Sequence, residues 1–377
     1  MDDLRKLLGE RVKCLRKRLA LTQKDLAKSA GFPTHQVISE IERGGRDVKA
    51  WELTRLASAL RTDISHLLNA VQPQTDRVLW RDNQEQGVEL AEAAFLSWCD
   101  QYYQLEKMLD VTPPRKMPSH QLDPQTATFT DVRRMASDIV KTLDLGSRPA
   151  SSLIAVLEGD YGVKIKYEDL GNTGSAASVA GEFGLGILMH RSQAPWRRNF
   201  SFAHELFHLV TRDSIEQDQM HDNPRLQAWV EQLAESFAAD LLLPEDVLIA
   251  EFDTLLEDDK ISYGDLISLA RDFDTSTKAL VWRLVNCKRF SKNEANRILK
   301  DSAFRDADRS TMAGKWSEPA PLSERFVRLA FRAFKKERVS RSRLAQLLGT
   351  SLFDLDSFLS DYGLQEADAY EAKATAT

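Results

Sequence analysis

Three cysteines in 377 residues are too few for a disulfide framework. Cys14, Cys99 and Cys287 stand far apart, with no metal-ligand spacing. They read as packed thiols. No run approaches the roughly 18 apolar residues of a membrane-spanning helix, and the opening MDDLRKLLGE lacks a signal peptide's apolar core. A cytoplasmic protein without membrane contact is the expectation. There is no internal repeat, and low complexity is confined to the tail EAKATAT. Histidine is scarce, seven in all, so any cluster of it is informative. The net charge of −6 excludes a polycation, yet it is unevenly spread. Residues 1–70 hold 14 Lys/Arg against 9 Asp/Glu, a net of +5, which leaves −11 for the rest. A basic end on an acidic chain fits a protein of which one domain meets nucleic acid.

The pattern predicts a mainly α protein with a small β-sheet, an α+β class. Short helices separated by turns fill residues 1–70. Residues 82–110 carry Val88, Ala91, Phe95, Trp98, Tyr102 and Leu105 at helical spacing. Four prolines in 111–126 exclude a helix and suggest an extended linker. A mixed segment follows, with helices near 131–143 and 150–158, a strand at 163–167 and a glycine-rich run at 171–186. That run leads into a strand at 187–189. Longer helical patterns cover 198–212 and 224–241, the second stopped by Pro244. Domain boundaries are expected at 1–70, 71–128 (helix plus Pro-rich linker), 129–290 and 291–377 (helical).

Within 21–44, Thr22 can cap a helix with Asp25 as its capping-box partner. Leu26, Ala27 and Ala30 face inward, and Gly31 permits a tight turn. A second helix begins near Thr34, with Val37, Ile38 and Ile41 as core contacts, and Gly44 and Gly45 end it. This is the rhythm of a helix-turn-helix, whose second helix enters the major groove. Thr34, His35, Gln36 and Ser39 are the expected DNA-facing residues, Gln36 suited to an adenine edge. Gln23 is placed to touch phosphate at the start of the preceding helix. The pieces TQKDLA, Ile38-Ser39, IERG and WELTRLASAL resemble the XRE (Cro/CI-like) family. One extra residue between Gly31 and Ile38 leaves the base-reading register open by one position. A module for protein contact alone is the competing reading.

The segment FAHELFHLV, 202–210, contains His204-Glu205-Leu206-Phe207-His208, an H-E-x-x-H pattern. On a helix, residues four apart share a face, so both imidazoles can reach one Zn²⁺. Glu205 points to another side and can act as general base. A third ligand is needed, and WVEQLAESFAADLLLP, 229–244, offers one. Glu231 is assigned to the metal. Glu235, one turn on, is expected to orient a ligating histidine. Two bland readings compete: a core helix with incidental histidines, and two solvated glutamates. Ligand type leaves Mn²⁺ or Fe²⁺ open beside zinc.

NFSFAHELFHLV and EQLAESFAADLLLP together resemble the ImmA/IrrE family of zinc metallopeptidases, gluzincin-like in type. Glu235 stands where the family has Asn, Asp240 where it has Glu, Leu243 where it has Met, and Phe207 where Gly is frequent. The resemblance spans about 130–290 and implies a zincin-like peptidase fold. It also implies limited proteolysis of a repressor or antitoxin partner, which relieves repression in a stress or mobile-element response. The alternative is a non-catalytic repressor or antitoxin whose zinc domain senses a ligand or binds a partner. Operator DNA and a protein substrate are the expected partners, the linker at 111–126 is a second substrate candidate, and a homodimer is left open. His221 as an oxyanion donor, His190 as a cleft residue, and 187–189 as the cleft edge on which a peptide lies are lesser expectations. Residues 339–359 have a helix-turn-helix-like rhythm without a basic face, and read as packing or partner recognition.

Overall fold

A computed structural model describes residues 2–19, 21–60, 62, 64–68, 77–81, 88–171, 174–215, 223–312 and 316–365. Contacts divide the chain into two compact units, one of residues 1–75, 89–112 and 320–377, the other of 76–88 and 113–319. The architecture is mainly α with one small mixed sheet.

The first unit opens with α1 (Asp2–Arg18), α2 (Gln23–Ser29), α3 (His35–Glu42), α4 (Ala50–Ala59) and α5 (Ile64–Leu67). Thr22 caps α2, accepting from Asp25 N while the Asp25 carboxylate accepts from Thr22 N at 3.1 Å. Gly31 takes φ +68°, the left-handed turn between α2 and α3. Val12, Leu26, Ile38, Ile41 and Leu56 form the core. Gly9 lets α1 lie against the end of α3, since a Cβ there would meet the Ile41 carbonyl at 2.3 Å. Glu42, buried, accepts from Arg16 Nε at 2.5 Å and from Gln23 Nε2 at 2.8 Å.

The long helix α6 (Val88–Met108) belongs to this unit, as do three C-terminal helices. Trp98 and Tyr102 pack on Phe326, with centroids 5.2 and 5.1 Å away. Arg325 donates to Tyr102 Oη at 2.8 Å and Glu106 Oε1 at 2.7 Å. The first of these three helices therefore shares a core with the long helix α6.

The second unit holds β1 (Arg77–Arg81), β2 (Lys164–Glu168), β3 (Ala176–Gly181) and β4 (Gly184–His190), in the sheet order β1-β3-β4-β2. The β3–β4 hairpin is antiparallel, and β2 runs parallel to β4. This corrects the expected cleft edge. Strand β4 is paired on both sides, so its backbone groups are spent and cannot take up a peptide by strand addition. Strand β3 falls inside the stretch read only as a glycine-rich lead-in. Its Ala176, Ala177 and Ser178 have weak strand preference, but their small buried side chains let a helix lie close.

Helices α7 (Phe129–Thr142), α8 (Pro149–Gly159), α9 (Pro195–Thr211) and α10 (Pro224–Leu242) pack with the sheet around Ile139, Leu157, Ile187, Phe202, Leu206 and Phe237. The proline-rich stretch is extended as expected but not free. Met117 and Leu122 enter this core, and His120 N donates to Val210 O at 2.7 Å at the end of α9. Then follow α11 (Glu245–Thr254), α12 (Tyr263–Asp272), α13 (Thr277–Asn286), α14 (Lys292–Lys300) and α15 (Ser302–Met312), with a second core around Leu248, Leu266, Phe273 and Leu284. The first unit closes with α16 (Glu324–Lys335), α17 (Arg341–Leu348) and α18 (Leu355–Asp361).

Candidate functional site

Helix α9 begins with Pro195 at its first turn, where a missing N–H costs nothing. Arg198 donates to the carbonyls of Arg191 and Gln193, tying the helix to the loop after β4. From Ser201 to Thr211 every residue of α9 is buried. Phe207, where the resembled family often has Gly, packs on Phe237 of α10 at 5.7 Å and edge-on to the His208 ring at 5.5 Å. That bulk packs the two helices together beside His208. Helix α10 is capped by Asn223, which accepts from Leu226 N at 3.2 Å, and it starts with Pro224.

The two helices bring three side chains together. His204 Nε2 lies 3.2 Å from His208 Nε2 and 3.1 Å from Glu231 Oε2. His208 Nε2 is 3.7 Å from Glu231 Oε1. Four-coordinate zinc at 2.0–2.1 Å has ligand atoms about 3.3–3.4 Å apart. Two imidazole nitrogens and a carboxylate oxygen at these separations fit such an ion. The trio is the one candidate metal group among the described residues. The histidines are buried, 1% and 8% exposed, whereas the Glu231 side chain is 41% exposed and opens the group to solvent. Glu205, 1% exposed, sits between the histidines in sequence on the same buried helix.

Glu235 falls elsewhere. It is exposed, lines an adjoining cavity, and makes no hydrogen bond to either imidazole. His190 is half-buried, its Nδ1 accepting from Ser192 N at 3.3 Å, and it is not one of the trio. His221 lies outside the described residues. A pair that the sequence reading did not single out ties α10 to α13. Asp240 and Arg283, both buried, form an ion pair, and Arg283 Nε donates to Leu243 O at 3.1 Å. Burial raises the Asp240 carboxyl above its ordinary range, with Arg283 and then Arg133 pulling it back.

In the first unit, Thr34, His35 and Gln36 are exposed at the start of α3, and Ser39 is half-buried. Gln23 differs from expectation, because its amide is taken up by Glu42.

Fold and site together define a helix-turn-helix unit joined to an H-E-x-x-H metallopeptidase-type unit. Comparison with known families agrees. Residues 7–69 match a helix-turn-helix domain and residues 158–285 match the IrrE N-terminal-like domain of a peptidase family. The chain thus carries a DNA-binding helix-turn-helix domain and an ImmA/IrrE-type domain. No curated protein matches it. Among solved structures, a Mycobacterium tuberculosis transcriptional regulator is 16% identical over 48% of this chain and 51% of its own, with a TM-score of 0.32. Bacillus thuringiensis PlcR, solved with the peptide PapR7 and DNA, is 12% identical over 95% of this chain and 98% of its own, with a TM-score of 0.16. The chain spans about half the length of the first of these. No helix among the described residues is long and apolar enough to cross a membrane.

Proposed function

We propose that this chain is an operator-binding transcriptional regulator whose residues 129–290 act as a zinc-dependent peptidase on a repressor- or antitoxin-type protein. The reading is carried by one observation, the convergence of His204, His208 and Glu231 on a helix pair open to solvent at Glu231. Bound there, a zinc ion would acidify a water molecule and polarise a peptide carbonyl. Glu205 would take the proton from the attacking water and hand it to the departing amine. The peptide C–N bond breaks, hydroxyl joins the carbonyl carbon and hydrogen joins the nitrogen. His204 and His208 hold their positions because the surrounding helix is buried, which avoids reorganisation during the reaction. A partner is favoured over the chain's own 111–126, where Met117 and Leu122 are packed in the core and His120 is hydrogen-bonded.

DNA contact is assigned to Thr34, His35, Gln36 and Ser39, with two copies reading a two-fold operator. The test is Glu205→Gln, a near-isosteric change. The variant should bind zinc and operator DNA as the parent does, yet fail to cleave the partner and fail to relieve repression. Unchanged derepression in this variant would favour the non-catalytic regulator instead.

A further inference from the structure

Beside the metal trio lies an open cavity of about 750 Å³ that nothing in the mechanism uses. It is the volume of a site for a small ligand or a few side chains. Its walls continue the same two helices. Phe200 and Ser201 precede His204 by a turn of α9, and Glu235 follows Glu231 by a turn of α10. Helix α13 supplies the third wall, with Trp282. None of the three ligands lines it, but it runs along the same two helices within a turn of them.

Its chemistry changes along its length. Near the trio stand Phe200 and Glu235. At the far end stand two exposed cations, Arg197 and Lys278, and neither forms an ion pair among the described residues. Asn199 on α9 donates to the Asp274 carbonyl at 3.1 Å, just ahead of α13. That bond brings Lys278 beside the first turns of α9, where Arg197 is. Arg197 precedes His204 by seven residues, about 10 Å along a helix. An extended peptide covers that distance in about three residues.

We propose that this cavity is a substrate-recognition subsite, one that takes a bulky apolar side chain against Phe200 and Trp282 and an acidic side chain about three residues from the scissile bond against Arg197 and Lys278. The inference rests on the peptidase reading for its substrate class, and it makes that class specific. Peptides with a basic residue at the distal position meet two like charges and are turned away. Glu235 restricts the acidic preference to the far end, since a carboxylate placed near the trio would face its carboxylate.

The test separates this claim from the catalytic one by measuring binding without turnover. Full-length protein carrying Glu205→Gln is titrated against fluorescein-labelled decapeptides with a central Phe. Asp, Ala or Lys is placed at each remaining position in turn, and anisotropy is read. Asp three residues from the Phe–neighbour bond on one side should bind tightest, and Lys there weakest. Adding Arg197→Glu and Lys278→Glu, both at exposed positions, should invert the order, each way by about tenfold, as expected for a few solvent-exposed charge pairs. Trp282→Leu, which keeps apolar bulk, should weaken Phe-centred peptides towards Ala-centred ones. The proposal is overturned if no peptide binds at millimolar concentration, or if the double reversal leaves the Asp and Lys peptides ranked as before. Binding in the predicted order together with no cleavage by the parent protein would sustain the subsite and remove the peptidase.

Discussion

Helices α3 and α9 both carry the polar side chains of a candidate site, and they are held in opposite ways. On α3, Thr34, His35 and Gln36 stand in solvent, on a domain of net charge +5. On α9, His204, Glu205 and His208 are buried on a helix that is itself core from Ser201 onward. The contrast fits the size of the partner proposed for each. A duplex brings its own large surface and is desolvated only on contact, so its readers can remain hydrated until then. A single cation needs ligands already converged, because ordering them at the moment of binding would cost entropy.

The largest expected effect breaks the two regions apart. His204→Ala removes one of three donors. Zinc measured by plasma emission after dialysis should fall from about one ion per chain to near none, and cleavage of the partner should disappear, while operator affinity stays unchanged. The reciprocal change, Gln36→Ala, should weaken operator binding by about 1–3 kcal/mol if it reads a base edge, with zinc content untouched. Loss of operator binding in His204→Ala would show that reader and metal group are coupled and would end the contrast drawn above.

The second effect concerns how the metal unit is supported. Arg283→Met leaves Asp240 buried with the partly exposed Arg133 as its remaining cation and the Ser236 hydroxyl as a hydrogen-bond donor. Breaking a buried pair by one partner costs about 3–5 kcal/mol, so a lower midpoint in urea is expected. The pH dependence has a definite sign. The folded-state pKa of Asp240 is raised, chiefly by burial, so its contribution is most favourable at low pH and falls as pH rises through that raised value. Without Arg283 the rise grows. The deficit of the variant should therefore shrink on acidification towards about pH 4. A deficit independent of pH would mean that lost packing, and not the stranded carboxylate, is responsible.

What could be read from the sequence follows the same line between local and distant. The Thr22–Asp25 cap, the turn at Gly31 and the i, i+4 pair His204–His208 are set by neighbours within a turn of helix, and the family comparisons bear out both resemblances. The distant features were not legible. Strand β3 is made of small residues whose strand character comes from burial between neighbours. The central place of β4 depends on β2, some twenty residues earlier. Gln23 looked like a phosphate contact because nothing local shows that Glu42, 19 residues on, takes its amide. Arg325 and Glu106 are 219 residues apart, beyond any periodicity.

A smaller effect tests the packing beneath the reader. Gly9→Ala puts a methyl group where the Ile41 carbonyl stands, 2.3 Å from the new carbon, and backbone rather than a pliant side chain must yield. Overpacking of this kind costs about 1–3 kcal/mol. The first unit should melt earlier, and operator binding should weaken because α3 is displaced, with zinc content unchanged. Equal operator affinity at a lowered melting temperature would mean that α1 moves and α3 keeps its place.

The smallest effect isolates the cap that starts α2. Thr22 and Asp25 satisfy each other's backbone N–H, and the Thr22 hydroxyl and backbone bonds hold the Asp25 carboxyl below its ordinary value. A carboxylate with a lowered folded-state pKa contributes its stability above the unfolded-state value and loses it as pH falls through the folded-state one. Thr22→Ala should lower the melting temperature of the first unit by a few degrees at neutral pH, and less at pH values below the ordinary carboxylate range. The second unit has a twin of this cap in Thr128 and Asp131, with the same lowered carboxyl. Thr128→Ala should thus shift the other unit's transition with the same pH profile. If each change moves only its own transition, the two units melt separately. If either moves both, reader and metal unit unfold as one, and the independence claimed for them is lost.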